Sequence, residues 1–217
     1  KYTEKIETRT LPVIALRGIV AFPSVPLSFE IADDASIHAA EAAFENDALV
    51  LICSMIRLDE SEAKPENLFR VGTVSKIKQS VKGANGTLRV ITEGFSRAMV
   101  NEFRTFADYI SADVICKTLT LTDEDSIKGE AYCRAMLTET EALVSLLPSV
   151  SDDILSTLHS IRTPALLADF IASNILVKYQ DKQQILECFD PIARIERLIS
   201  LLREESTLLE CEMDIHK

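Results

Sequence analysis

The sequence predicts an α+β fold in two parts. A β-rich lobe, a bent sheet or half-closed barrel with one helix, spans residues 1–120, and a helical bundle ending in a long helix spans 121–217. Three observations predict it. Five of the six glycines and ten of the thirteen valines precede residue 120, whereas sixteen of the twenty-five leucines follow it. Val and Gly suit strands and tight turns, and Leu suits helices. Asn85-Gly86 lies between two β-prone runs, Val71–Val81 and Thr87–Thr92, and both residues tolerate the positive φ of a hairpin turn. Asp190-Pro191 opens a run with apolar residues at Ile192, Ile195, Ile199, Leu202, Leu209 and Met213, broken at Ser206 and widened by Leu198, Leu201 and Leu208. Asp caps free N–H groups and Pro loses nothing at the first helical position. A helix from about 191 to 213 is roughly 35 Å long at 1.5 Å per residue. It is too long for a small bundle to cover, so it is expected to act as a lever that starts in the core and reaches toward something else.

Taken in order, Leu11–Val20 reads as a strand interrupted at Arg17-Gly18. Phe22–Pro26 reads as a stiff extended connector, because each Pro fixes its own φ and restricts the residue before it. Leu27, Phe29 and Ile31 alternate with polar residues at the period of a half-buried strand. Asp33–Asn46 predicts a helix with Ile37, Ala40 and Phe44 sharing one face. Leu49–Ser54 is a short apolar run of buried-strand type, Leu58–Glu66 a charged loop, and Phe95–Phe103 and Ala107–Leu121 are further strands. The lobes meet at Thr120–Asp123. Thr122 with Asp125 predicts a capped helix that ends before Pro148, and Ser151, Thr163-Pro164, Asp181 with Gln184, and Asp190-Pro191 open four more. Leu166, Leu167, Phe170 and Ile171 are expected to face inward. Five helices with short connections describe a bundle.

At 217 residues, 47% apolar and 26% charged, the chain has the composition of a packed protein rather than a disordered one. Its net charge of −11 argues against a nucleic-acid surface. The acidity is concentrated: residues 1–120 hold 14 Lys and Arg against 16 Asp and Glu, and residues 121–217 hold 9 against 18. Five cysteines, odd in number and without a C-x-x-C pair, predict reduced, mostly buried thiols in a reducing compartment and no zinc site. No apolar run approaches the roughly 18–20 residues of a membrane span, and the charged opening KYTEKIETRT is no signal peptide. A start without Met and an end on Asp-Ile-His-Lys are expected of a piece cut from a longer protein.

Catalytic patterns are missing. There is no phosphate loop of the G-x-x-x-x-G-K-[ST] kind. Gly94-Phe95-Ser96-Arg97-Ala98 lacks the second Gly of a nucleophile elbow, which leaves Ser96 expected at a turn between strands. His38, His159 and His216 stand far apart with no metal spacing. Asp33-Asp34 and Asp152-Asp153 fall at helix starts, where the dipole and capping account for them. Aromatic residues are not interleaved with basic ones, as single-strand binders require. No catalytic, cofactor or metal residues are expected, and what remains is binding. Phe22, Pro23, Val25 and Pro26, with the Lys82–Gly86 hairpin tip, are candidate exposed elements on a lobe whose edges suit an extended peptide. Leu208, Leu209 and Met213 are candidates for packing between subunits.

Several ordered blocks resemble one family, the N-terminal region of the ATP-dependent protease Lon. Residues 11–31, LPVIALRGIVAFPSVPLSFEI, are similar to its opening block. Ser36-Ile37 with Ala39, Ala40, Ala42 and Ala43 resembles its first helix, and Val71–Val74 and Glu93–Ala98 its later strands. Leu167-Ala168-Asp169, Lys182–Glu187 and Arg194–Leu198 resemble the stretch leading into its long helix. The resemblance covers residues 9 to 213; the connector after Phe22-Pro23 is one or two residues shorter than usual, and Glu30 replaces an apolar or small residue. It implies a PUA-like β lobe, a helical bundle, and a long helix leading to an ATPase motor and a Ser–Lys protease domain. None of the motifs of those two domains occurs here, so no catalytic residue carries over. It implies unfolded or tagged protein substrates and sister subunits of a hexamer as partners, with no membrane and no nucleic acid. ATP and Mg are implied for the motor alone, and the bacterial cytoplasm, or else a mitochondrial matrix, as the location. The alternative is a free-standing receptor built on the same lobe; an RNA-binding relative is disfavoured by the charge.

Overall fold

The structure, a computed structural model, describes residues 2–122 and 126–217. It divides into two compact units, Glu4–Thr118 on the one hand and Lys1–Thr3 with Leu119–Lys217 on the other. The expected capping box involves Asp125 and the expected lobe boundary ends at Asp123, both outside the described residues.

The first unit contains β1 (Tyr2–Leu16), β2 (Pro26–Ile31), α1 (Asp34–Ala43), β3 (Leu49–Ser54), β4 (Val71–Lys82), β5 (Leu88–Phe106) and β6 (Tyr109–Leu121), the ends of β1 and β6 running into the second. The strand order is β2-β5-β4-β3-β1-β6, and β5 pairs again with β6. That second pairing closes β1, β3, β4, β5 and β6 into a barrel and leaves β2 as an edge strand. β1 runs parallel to β3 through Val13–Leu16 against Leu51–Ser54, and the β2–β5, β3–β4, β4–β5 and β5–β6 pairs are antiparallel.

Alternation along the strands builds two cores. Val13, Leu51, Cys53, Val74, Ala98, Val100, Val114 and Cys116 fill the barrel. Ile14, Leu16, Val50, Ile52, Ile77 and Val90 face the other way, with Phe29 and Ile31 of β2 and the alanines of α1. Because both faces are covered, β3 is an unbroken apolar run. Asp33 caps α1 by accepting from the Ser36 N–H. The buried face of α1 is Ser36, Ala39, Ala40 and Ala43. Of the three residues expected to share one face, Ala40 is buried and Phe44 is 49% exposed. α1 ends at Ala43, and Phe44 is already the capping residue that leaves the sheet. The hairpin between β4 and β5 turns at Asn85 and Gly86, with φ of 58° and 77°.

The second unit contains α2 (Ser126–Val144), α3 (Asp152–Ser160), α4 (Pro164–Asn174), α5 (Tyr179–Glu187) and α6 (Pro191–Ile215). Ser151 caps α3 through the Ile154 N–H. α5 starts earlier than the acid at Asp181 predicts: Lys178 is its capping position, and Asp181 sits in the first turn, favoured there by the dipole. In α4, Leu167 and Ile171 are buried and Leu166 and Phe170 half-buried. α6 packs against α2, α4 and α5 with Ile195, Leu198, Leu201 and Leu202 buried. Beyond Leu202 the burial stops: Leu208 is 43% exposed, Met213 51% and Ile215 80%.

The start of α6 is held by charge. Asp190 accepts from the N–H groups of Ile192 and Ala193 and from the Tyr2 hydroxyl, the last at 2.6 Å. Arg194 is buried, as is Asp169 of α4, 3.8 Å away. Its guanidinium also donates to the carbonyls of Cys188 (2.9 Å) and Phe189 (3.1 Å). A buried arginine satisfied on several sides holds its surroundings in one arrangement, and removing one partner of such a pair costs about 3–5 kcal/mol.

Partial burial acts to raise the Asp190 pKa, but the hydrogen bonds from Tyr2, Ile192 and Ala193, with Arg194 nearby, hold it below its ordinary 3.8. A depressed carboxylate contributes stability at neutral pH that is lost as pH falls below that ordinary value. Acid unfolding followed by the helical circular dichroism signal is therefore expected to shift to a shallower dependence below about pH 4 in Asp190→Asn. An unchanged acid limb would show that Asp190 contributes nothing to it.

Candidate functional site

The connector expected to be exposed is instead a turn fastened to the sheet. Phe22 is 1% exposed and Val25 6%; Pro23 is half-buried, and only Ser24 and Pro26 are open. Val25 N–H donates to the Phe22 carbonyl at 3.4 Å, and Ser24 takes a positive φ of 62°. Pro followed by a residue at positive φ is the pattern of a type II turn, and Ser occupies the place that Gly usually takes. Three bonds anchor this stretch: Ser54 Oγ to the Ile19 carbonyl (2.6 Å), Thr73 Oγ1 to the Ala21 carbonyl (2.7 Å) and Ser24 N–H to the Gly94 carbonyl (2.9 Å). At Gly94 a Cβ would come within 2.4 Å of the Phe22 carbonyl oxygen, so only Gly allows the approach. This closeness joins residues far apart in the chain and lies in no local sequence pattern.

Beside that contact, β5 bulges. Ser75 opposes Gly94 while Val74 opposes Ser96, leaving Phe95 as an extra residue. Ser96 is therefore mid-strand, not at the turn expected from its near-elbow setting. A bulge re-aims a side chain, and Phe95 stands 52% exposed.

Phe95 and Ser96 both border a cleft of about 510 Å³ at one end of the barrel, within the size range of ligand pockets. The other four strands of the barrel also line it: Lys5, Glu7 and Arg9 from β1, Leu49 from β3, Val74 and Lys76 from β4, and Cys116 and Thr118 from β6. Asp47, in the turn before β3, completes the rim. Arg9 pairs with Glu7 at 3.1 Å. Burial pushes the Cys116 thiol above its ordinary value, outweighing a hydrogen bond with Ser96 and the charge of Arg9 that pull it down. A protonated thiol is a poor nucleophile. Outside the cleft, Met99 of β5 and Ile115 of β6 lie directly opposite each other and are 49% and 39% exposed.

The remaining sequence candidates do not converge. His38 faces Asp108 at 3.3 Å and His159 faces Glu141 at 3.7 Å, while His216 caps α6. Among the described residues no group of His, Cys, Asp and Glu could hold a metal ion. Nor is any helix among them long and apolar enough to cross a membrane. Leu208 and Met213 are exposed and Leu209 half-buried on the far part of α6.

The architecture is that of a known class of domain. It is similar to the N-terminal domain of the Mycobacterium avium complex Lon protease, with a TM-score of 0.64 and 21% identity over 90% of this chain and 98% of that one. A Lon N-terminal domain protein from Xanthomonas campestris is similar at a TM-score of 0.55 and 14% identity, over 88% and 98%. In sequence, residues 10–204 match the family model of the ATP-dependent protease La (LON) substrate-binding domain, and the chain belongs to that family. It is 34% identical to Lon protease of Brevibacillus choshinensis over 98% of its own length and 27% of that protein. With Lon protease of Vibrio parahaemolyticus it shares 32% over 98% and 27%. The chain thus spans about a quarter of the curated relatives it matches.

The thiols make a direct check on these burial patterns. Cys53 is enclosed and its pKa is pushed up to about 12 by burial, Cys116 and Cys133 are buried and raised for the same reason, and Cys211 is exposed. A thiol-exchange reagent at neutral pH is expected to label Cys211 first, Cys188 and the cleft-lining Cys116 more slowly, and Cys53 and Cys133 only on unfolding, as read by peptide mass mapping. Fast labelling of Cys53 in the folded chain would mean that the barrel is open to its interior.

Proposed function

We propose that this chain is the non-catalytic N-terminal region of an ATP-dependent Lon-type serine protease of the bacterial cytoplasm, and that it binds unfolded or damaged proteins for that enzyme. Residues 1–120 would form its PUA-like binding lobe and residues 121–217 its helical support. ATP and Mg would be used by a motor carried elsewhere in the parent, and neither nucleic acid nor membrane would be a partner. The observation that carries the reading, beside the family, is the apolar surface of the barrel, where Met99 and Ile115 face outward in a cross-strand pair and Phe95 rises from the bulge. Unfolded chains expose the apolar side chains that such a surface would bury.

Met99→Asp with Ile115→Lys is expected to weaken capture of a permanently destabilised protein about tenfold, measured by fluorescence anisotropy, with the unfolding midpoint of the lobe unchanged. Capture that is undiminished would move the client surface away from this pair. Failure of the unaltered chain to bind any unfolded protein would remove the function.

Support for assembly comes from the far half of α6, where Leu208, Leu209 and Met213 continue the apolar stripe beyond the last buried residue, Leu202. We assign these positions to contacts with other copies of the same chain, within a hexamer of the parent. Sedimentation velocity is expected to show a concentration-dependent species that Leu209→Glu abolishes. The same monomer in both would exclude that role for α6 in this chain.

A further inference from the structure

The barrel-end cleft is more specific than a surface for generic apolar capture needs to be. Three cationic residues line it, Lys5, Arg9 and Lys76, with two carboxylates, Glu7 and Asp47. Arg9 and Glu7 neutralise each other at 3.1 Å. Neither Lys5 nor Lys76 has a carboxylate partner among the described residues. The cleft therefore carries one positive charge more than it compensates, and its two free ammonium groups come from β1 and β4, the strands on either side of β3. Val74 and Cys116 line the same cleft, and the exposed Phe95 is also among its lining residues. The complementary ligand is a monoanion attached to an apolar side chain. A nucleoside triphosphate, with three or four negative charges, would meet Glu7 and Asp47 with more charge than the two lysines balance.

We propose that this cleft holds the carboxyl-terminal residue of an unfolded polypeptide, the free α-carboxylate lying between Lys5 and Lys76 and an apolar last side chain against Phe95. This deepens the substrate-binding reading above and rests on it, by naming the part of a client that this end of the barrel selects. Charge-assisted hydrogen bonds are about twice as strong as neutral ones, and the apolar atoms around the carboxylate would restrict its access to water.

The test uses the 217-residue chain and a fluorescent unstructured peptide ending in leucine, prepared as free acid and as amide. The acid form is expected to bind about tenfold more tightly or better. The double variant Lys5→Gln, Lys76→Gln should abolish that difference, with the circular dichroism spectrum unchanged. Acetyl-leucine should displace the acid-form peptide, and acetyl-leucinamide and ATP should not. Equal affinity for acid and amide would overturn the proposal, as would a preference that survives in the double variant or displacement by ATP at lower concentration than acetyl-leucine. If destabilised proteins are captured but no end preference is found, only this inference falls. If neither peptides nor destabilised proteins bind, the substrate-binding reading falls with it.

Discussion

Strand β5 must serve three neighbours. Residues 88–93 lie between β2 and β4, the β4 pairing continues to Met99, and β6 takes over from Ala98 to Phe106. A straight ribbon cannot turn from an open sheet edge into a barrel wall, so the strand yields where the duties change, at Gly94 and Phe95. Closing a sheet demands local bending, and bulges supply it. Gly94 lets the Phe22 carbonyl come close from behind, and the extra residue throws Phe95 forward. The buried connector and the exposed aromatic are thus two sides of one geometric requirement. Replacing either side would disturb the other, although Phe22 and Phe95 are far apart in the chain.

The helical unit is organised by a different means. Its central member, α6, is apolar along one side for most of its length, yet only the stretch to Leu202 is covered. What fixes where coverage begins is polar: Asp190 satisfies free N–H groups of the first turn, and Arg194 is bound to two carbonyls of the preceding loop and to Asp169. Buried charge of this kind adds little net stability compared with apolar packing, but it penalises every arrangement that leaves it unpaired. The near part of α6 is therefore held in register, while the far part keeps its leucines available.

Features set by local rules were legible in the sequence. Asn85-Gly86 demanded a turn of positive φ, Leu49–Ser54 had the unbroken apolar character of a strand covered on both faces, and Asp190-Pro191 could do little but begin a helix. The family resemblance was also legible, since it rests on the order of several short blocks rather than on any single one. What escaped was tertiary. Phe22 and Val25 looked exposed because prolines stiffen the chain around them, and nothing nearby in sequence shows the sheet they press against. Phe44 kept the helical period but fell one residue beyond the last turn. Ser96 sat in what resembled an elbow, whereas its partner Val74 on β4 keeps it in a strand. The cleft draws on five strands, and no pattern within one segment could assemble Lys5 with Lys76.

The place of β1 in the strand order has a consequence for how the molecule is made. β1 is flanked by β3, which it meets in parallel, and by β6, the final strand of the lobe. During synthesis β1 emerges first and β6 last, so one edge of β1 stays without its neighbour until roughly a hundred further residues have left the ribosome. Pairings between such distant segments are slow to form, because the intervening loop must first close. The lobe thus keeps an open strand edge for as long as its own last strand is missing.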